Sequence, residues 1–166
     1  MAFEEHIQIP KARLAVLIGK KGTIKKEIEQ RSNVKLKIIS DGTVQIFSDD
    51  AYSANLAKNV VFAIGRGFNP EIACELLKEN FDLNCINLEN YFKRKSFRRI
   101  KGVIIGEKGK TRRFLEEHTK TRISIYGKTI CIIGPAEGVA LATRAIEMFL
   151  TGASHSSVYK FLGRYG

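Results

Sequence analysis

Apolar and polar residues alternate from Glu4 to Ile9 as in a short strand, and Pro10 ends the run. Ala12 to Ile18 then reads as a helix that runs into a glycine. Thr23 to Arg31 carries Ile24 and Ile28 on one face with charged residues elsewhere, the spacing of a half-buried helix. Val34 to Ser40 and Thr43 to Ser48 are β-branched alternating runs joined by Asp41-Gly42, a strong tight-hairpin signal. Ser48 or Asp49 stands where it would cap a last helix, Ala51 to about Ile64.

The same order, β-α-α-β-β-α, is legible a second time. Leu83 to Leu88 is the strand, Phe97 to Ile105 and Lys110 to His118 the helices, and Arg122 to Tyr126 and Thr129 to Ile133 flank a Gly127-Lys128 turn. Pro135 opens a final helix to about Leu150, as proline does at a first helical position. The two readings agree residue by residue. Ile18-Gly19-Lys20-Lys21-Gly22 recurs as Ile105-Gly106-Glu107-Lys108-Gly109, and Ile28/Leu115, Glu29/Glu116, Leu36/Ile123 and Ile38/Ile125 keep one constant offset. One unit has been duplicated.

The fold class expected is therefore α+β: two tandem domains, each a three-stranded sheet with helices on one face. Residues 1–66 form the first and 82–152 the second. The connection 67–81 contains a short helix, with Asn69 as its cap, Pro70 at its first position and Glu71 to Glu79 as its body. The tail, 153–166, can form one more short helix with Val158, Phe161 and Leu162 on a face, while Ser156, Ser157 and nearby small residues leave open a tail that is disordered when unbound.

Charge sharpens this picture. The net charge of +11 calls for a polyanionic partner, because clustered Lys and Arg gain by displacing counterions from phosphates. Residues 1–80 hold 12 Lys and Arg against 10 Asp and Glu, a net of +2, while residues 81–166 hold 16 against 7, a net of +9. The second half should dominate capture of the partner. No apolar run approaches the ~20 residues of a membrane span, and MAFEEHIQIP is too acidic for a signal peptide, so a soluble, cytoplasmic chain with no membrane partner is expected. Cys74, Cys85 and Cys131 are odd in number and lack Cys-x-x-Cys spacing, suggesting neither a disulfide framework nor a zinc site, only small buried apolar residues.

A Gly-x-x-Gly turn between two helices has a physical purpose. Without a Cβ the chain turns sharply and a sugar-phosphate backbone can come close, while the following helix offers unpaired N–H groups and a positive dipole end. Gly19, Lys20, Lys21 and Gly22 in one copy, and Gly106, Glu107, Lys108, Gly109 and Lys110 in the other, would clamp a phosphate backbone. Glu107 is the exception, a carboxylate expected to turn toward solvent or Lys108.

Ile-Gly-x-x-Gly between two helices, followed by a hairpin and a helix, resembles the type I KH domain over about residues 4–66 and 82–151. The resemblance implies a groove that holds about four nucleotides of single-stranded RNA beside the loop. Carried onto this chain, Ile105 and Leu115 help form the second groove with Arg122 at its strand edge, and Ile18, Ile28 and Lys35 hold the matching places in the first. Lys25 and Arg112 stand on the helices that leave the loops. The run Lys93 to Lys101, with Arg98, Arg99 and Lys101, adds a basic helix face ahead of the second loop.

The linker Gly-Phe-Asn-Pro-Glu-Ile-Ala, the tandem arrangement and the tail are similar to the archaeal relatives of the eukaryotic small-subunit ribosome assembly factor known as partner of Nob. That resemblance implies small-subunit ribosomal RNA near its 3′ end as the target, within a pre-ribosomal particle and alongside a separate ribosomal RNA endonuclease. No cofactor and no catalysis are expected of the chain itself. The rival classes are an RNA-processing enzyme subunit and a protein-docking scaffold that keeps one RNA-binding domain. No Ser-His-Asp or metal-ligand constellation supports the enzyme. Tyr91, Phe92, Tyr159, Phe161 and Tyr165 could each stack on a base or dock on the protein.

Glu107-Lys108-Gly109-Lys110-Thr111 imitates the end of a P-loop, yet the glycine required five places before Gly109 is Ile104, so nothing wraps a nucleotide's phosphates. Mg-ATP should accordingly leave the melting temperature unchanged; a clear rise in a thermal shift assay would restore the nucleotide-binding reading.

Overall fold

The alternating runs become strands and the segments beside the glycines become helices in the computed structural model, which describes residues 2–165. In the first unit β1 (Phe3–Gln8), β2 (Lys35–Ile38) and β3 (Thr43–Ser48) make an antiparallel sheet in the order β1-β3-β2. Register places Ile7 opposite Val44 and Leu36 opposite Ile46, so these side chains share one face. That face is covered by α1 (Leu14–Ile18), α2 (Thr23–Ser32) and α3 (Ala51–Gly65), which bury Leu17, Ile28, Val60 and Ile64 completely. Burial of each such aliphatic side chain stabilises the unit by about 1.5–3 kcal/mol.

Asp50, rather than Ser48 or Asp49, caps α3: its carboxylate accepts from the N–H groups of Tyr52 and Ser53, and the Ser53 bonds hold its pKa below the usual value. Ser48 acts one step earlier, its hydroxyl oxygen accepting from Asp50 N–H at 3.1 Å. The connection is not a free tether. Asn69 Oδ1 accepts from Ile72 N–H at 2.9 Å to start α4 (Pro70–Ala73), a tight turn follows over Cys74–Leu77, and Phe68, Ala73, Cys74 and Leu76 are buried. The helix stops short of Glu79 because Lys78 is extended, at φ −76° and ψ 148°. The chain divides into two compact units between Glu79 and Asn80, so 67–79 packs with the first.

The second unit repeats the plan with β4 (Phe81–Asn87), β5 (Arg122–Tyr126) and β6 (Thr129–Pro135) in the order β4-β6-β5. Its helices are α5 (Phe97–Ile105), α6 (Lys110–Thr119) and α7 (Ala136–Leu150), and its core gathers Ile100, Ile104, Leu115, Ile130, Ile132 and Ile146. Pro135 is the residue before α7 rather than its first helical residue: ψ of 141° keeps it extended and inside β6. The tail is folded. Ser154 Oγ accepts from Ser157 N–H to start α8 (His155–Gly163), which buries Val158 and Leu162 against the second core.

The cysteine expectation is corrected. Cys85 and Cys131 form a disulfide, and only Cys74 is a free thiol. They are directly opposite on β4 and β6, with Cα atoms 4.0 Å apart, close to the spacing of a non-hydrogen-bonded antiparallel pair, where side chains approach most nearly. Nothing in their spacing of 46 residues could reveal that register. Burial pushes the Cys74 thiol above its ordinary pKa, so it is a poor nucleophile.

Thiol counting tests this directly. Denatured without reductant, the chain should expose one alkylatable thiol, and after reduction three; three in both conditions would remove the crosslink. In the chain-entropy picture a loop of this length is worth up to about 4 kcal/mol, so reductant should lower the melting temperature by roughly 10 °C.

Candidate nucleic-acid interface

Each Gly-x-x-Gly loop joins two helices through the same backbone path. Gly19 has φ 74° and ψ 176° against 75° and 175° for Gly106, Lys21 has 56° and 26° against 55° and 27° for Lys108, and Gly22 has 75° and 15° against 76° and 13° for Gly109. Both turns close with the N–H of the second glycine donating to the carbonyl of the first at 3.2 Å.

The two glycines of a loop are needed for different reasons. A Cβ on Gly19 would collide with the Ile24 side chain, and one on Gly106 with Thr111, so the first glycine lets the two helices close on each other. A Cβ on Gly22 would meet nothing within 4 Å, and one on Gly109 only the end of Arg113 at 3.2 Å. The second glycine therefore leaves an open approach, with a left-handed backbone that side chains rarely adopt. It is also the residue that caps α2 or α6, and no side chain fills the cap. The first N–H of each helix, that of Thr23 or Lys110, donates back to the carbonyl of Lys20 or Glu107, so what the helix start offers an anion is the positive end of its dipole and the N–H groups that follow.

Cations ring these loops. Lys20, Lys21, Lys108 and Lys110 are exposed, and among the described residues none lies in an ion pair. Glu107 is exposed too and makes no ion pair with Lys108. Arg98 and Arg99 lie exposed on α5 with Lys101 half-buried, and the Arg99 guanidinium sits 5.9 Å from the Phe92 ring. Ile18, 36% exposed, and half-buried Ile105 supply apolar surface at the helix ends beside the loops. Lys35 and Arg122 are exposed at the start of β2 and β5, the edge strands.

Two expected groove residues are not at the surface. Ile28 and Leu115 are fully buried and shape the groove only from below, by holding α2 and α6 on their sheets. Lys25 is half-buried, 3.8 Å from Glu29, and Arg112 is half-buried with its Nε enclosed and without a hydrogen-bond partner. Of the aromatic residues, Tyr91 donates to Glu147 at 3.4 Å, and Tyr159 packs 4.2 Å from Phe114. Phe161 lies under Arg144 at 4.7 Å, whereas Tyr165 remains 58% exposed.

Sequence reasoning missed three contributors. Arg113 Nη1 donates to the Lys108 carbonyl at 2.7 Å and pins the second loop. Glu29 Oε2 accepts from Leu36 N–H, and Glu116 Oε2 from Ile123 N–H, both at 2.8 Å, tying each second helix to its edge strand. The glutamates were visible as a matched pair in the repeat, but their partners lie on another element.

Comparison with known proteins agrees with this architecture. Residues 4–63 match the model of the KH domain, and residues 82–165 match that of the eukaryotic type KH domain, type I. A KH domain-containing protein of Methanocaldococcus jannaschii is 48% identical, over 96% of this chain and 73% of the relative. The pre-rRNA-processing protein PNO1 of Chaetomium thermophilum is 27% identical over 82% of this chain, which spans only 54% of that protein. A chain in the crystal structure of the a/eIF2alpha-aDim2p-rRNA complex of Pyrococcus horikoshii superposes with a TM-score of 0.92 at 45% identity, covering 98% of this chain and 93% of the other. With two family matches on two copies of one fold, this chain belongs to the KH-domain family, as a tandem type I member related to Dim2p and PNO1.

Proposed function

We propose that this chain binds single-stranded RNA with both Gly-x-x-Gly loops and assists maturation of small-subunit ribosomal RNA near its 3′ end. The observation that carries the reading is the pair of loops: two helix starts that no side chain covers, each reached by a turn whose second glycine leaves room for a sugar-phosphate backbone and flanked by exposed lysines. The occurrence of a chain of this fold in an rRNA complex, and the pre-rRNA-processing role in the name of the PNO1 relative, support ribosomal RNA as the ligand. That complex also contains a/eIF2alpha, which supports a protein partner beside the RNA.

In this mechanism the RNA backbone lies across the helix starts, and bases turn toward the slot between α2 and β2 or between α6 and β5. The chain positions RNA and leaves cleavage to a separate endonuclease within the pre-ribosomal particle. Equal affinity for duplex and single strand would sink it, since the slot admits only unpaired bases. If about six phosphates are neutralised, affinity should fall about 300-fold between 50 and 200 mM salt. RNA incubated with the pure protein and Mg²⁺ should be recovered intact; specific cleavage products would favour the enzyme reading.

The modules are ranked by charge. Replacing Lys108 and Gly109 by Asp should cost more affinity than replacing Lys21 and Gly22, because the second module sits in the half with net charge +9. Circular dichroism must show both variants folded, since a side chain at Gly22 or Gly109 is held at left-handed angles that glycine adopts without strain. A larger loss from the Lys21 and Gly22 variant would make the first groove the principal site.

A further inference from the structure

The two matched glutamates do more than close an edge. Leu36 and Ile123 stand opposite Ile46 and Ile132, yet each sends its N–H to a glutamate rather than to the central strand. In an antiparallel ladder that identifies a non-hydrogen-bonded pair, whose N–H and C=O both point off the free edge toward α2 or α6. Each carboxylate therefore lies along that free edge, beside the slot into which the single-stranded RNA reading turns the bases. Only Oε2 is used: among the described residues Oε1 has no hydrogen-bond partner, and the side chains are 21% and 17% exposed.

Cations flank each carboxylate without saturating it. Lys25 Nζ is 3.8 Å from Glu29, Arg122 Nε is 3.8 Å from Glu116, and Arg112, one helical turn before Glu116, has its Nε buried and unpartnered. These cations stand beside the glutamates at the edge of a groove that otherwise attracts anions. An unused anionic acceptor beside donors is the complement of a base edge that places an amino group next to an acceptor. Cytosine has that edge, with its N4 amino group beside N3. Uracil shows a carbonyl at the same position, and its oxygen would face the carboxylate at close range.

Resting on the single-stranded RNA reading above, we infer that Glu29 and Glu116 are specificity-determining residues that select bases bearing an exocyclic amino group and exclude uracil. Each holds the edge strand through Oε2 and receives the base amino group on Oε1. The two modules then read composition by the same contact while their loops hold the backbone.

The test compares labelled C8 and U8 oligonucleotides, which share length and charge and differ in their Watson–Crick edge, by fluorescence anisotropy on the full chain. Wild type should bind C8 at least tenfold more tightly than U8. In the E29Q/E116Q variant the amide oxygen can still accept the edge-strand N–H, so the fold should be retained. The added NH₂ offers a donor to a uracil carbonyl, and the C8 to U8 ratio should fall to near one. The loss of two negative charges, one in each module, raises both affinities together and does not by itself change the ratio. An unchanged ratio, or an equal loss on both oligonucleotides with a lowered melting temperature, would reduce the glutamates to structural ties and overturn the inference. A chain with Asp at Lys21, Gly22, Lys108 and Gly109 serves as the control. If it binds both oligonucleotides like wild type, the groove reading itself falls; if it loses both while the ratio in E29Q/E116Q stays high, only the inference does.

Discussion

A reversal between two helices in four residues requires three backbone positions with positive φ, and the rest of each module is arranged around that requirement. The first glycine must lack a Cβ because the next helix begins almost on top of it, at Ile24 in one module and Thr111 in the other. Once the helices are this close, the apolar face of the second helix is committed to the sheet through Ile28 or Leu115. Its start is then left bare toward solvent, and its far end meets the edge strand. The proposed phosphate-binding end and base-facing slot are both consequences of one turn.

The copies keep this geometry while changing the chemistry around it. Loop dihedrals agree within a few degrees although Lys20 is matched by Glu107 and Ile24 by Thr111. Backbone conformation there is dictated by the glycines and by helix packing, so exposed positions are free to vary. The second module adds the Arg113 tie, a longer α5 carrying Arg98 and Arg99, the disulfide and α8. The second module is thus the more strongly braced and the more basic of the two, in keeping with the larger share of binding proposed for it.

Buried and exposed residues divide the work in the slot. Ile28 and Leu115 hold the helices in place without surfacing, and the reachable surface is made of Ile18, Ile105, the edge-strand cations and the glutamates. Apolar contact gives affinity to any base, whereas a carboxylate tied at one oxygen and open at the other discriminates among base edges. In the proposed binding mode, phosphate grip and base choice fall to different atoms, as sequence-tolerant and sequence-reading contacts generally do.

The sequence by itself determined the duplicated order of elements, the hairpins and the two loops, because alternation, helical spacing and glycine placement are local properties written within a few residues. β3, β5 and α5 have the bounds their patterns indicate. Tertiary structure decided what lies against what. Periodicity put Ile28 on the apolar face of its helix, and the repeat put Leu115 at the matching place, but neither showed that the sheet covers both wholly; the family resemblance made them groove residues, and the closed core places them beneath the surface. Cys85 and Cys131 become partners only through the β4–β6 register, across 46 residues of chain. Glu29 and Glu116 acquire a role only when a separate strand brings an unpaired N–H within 2.8 Å. Such pairings depend on how elements dock, and no local pattern encodes a distance between segments that meet only after folding.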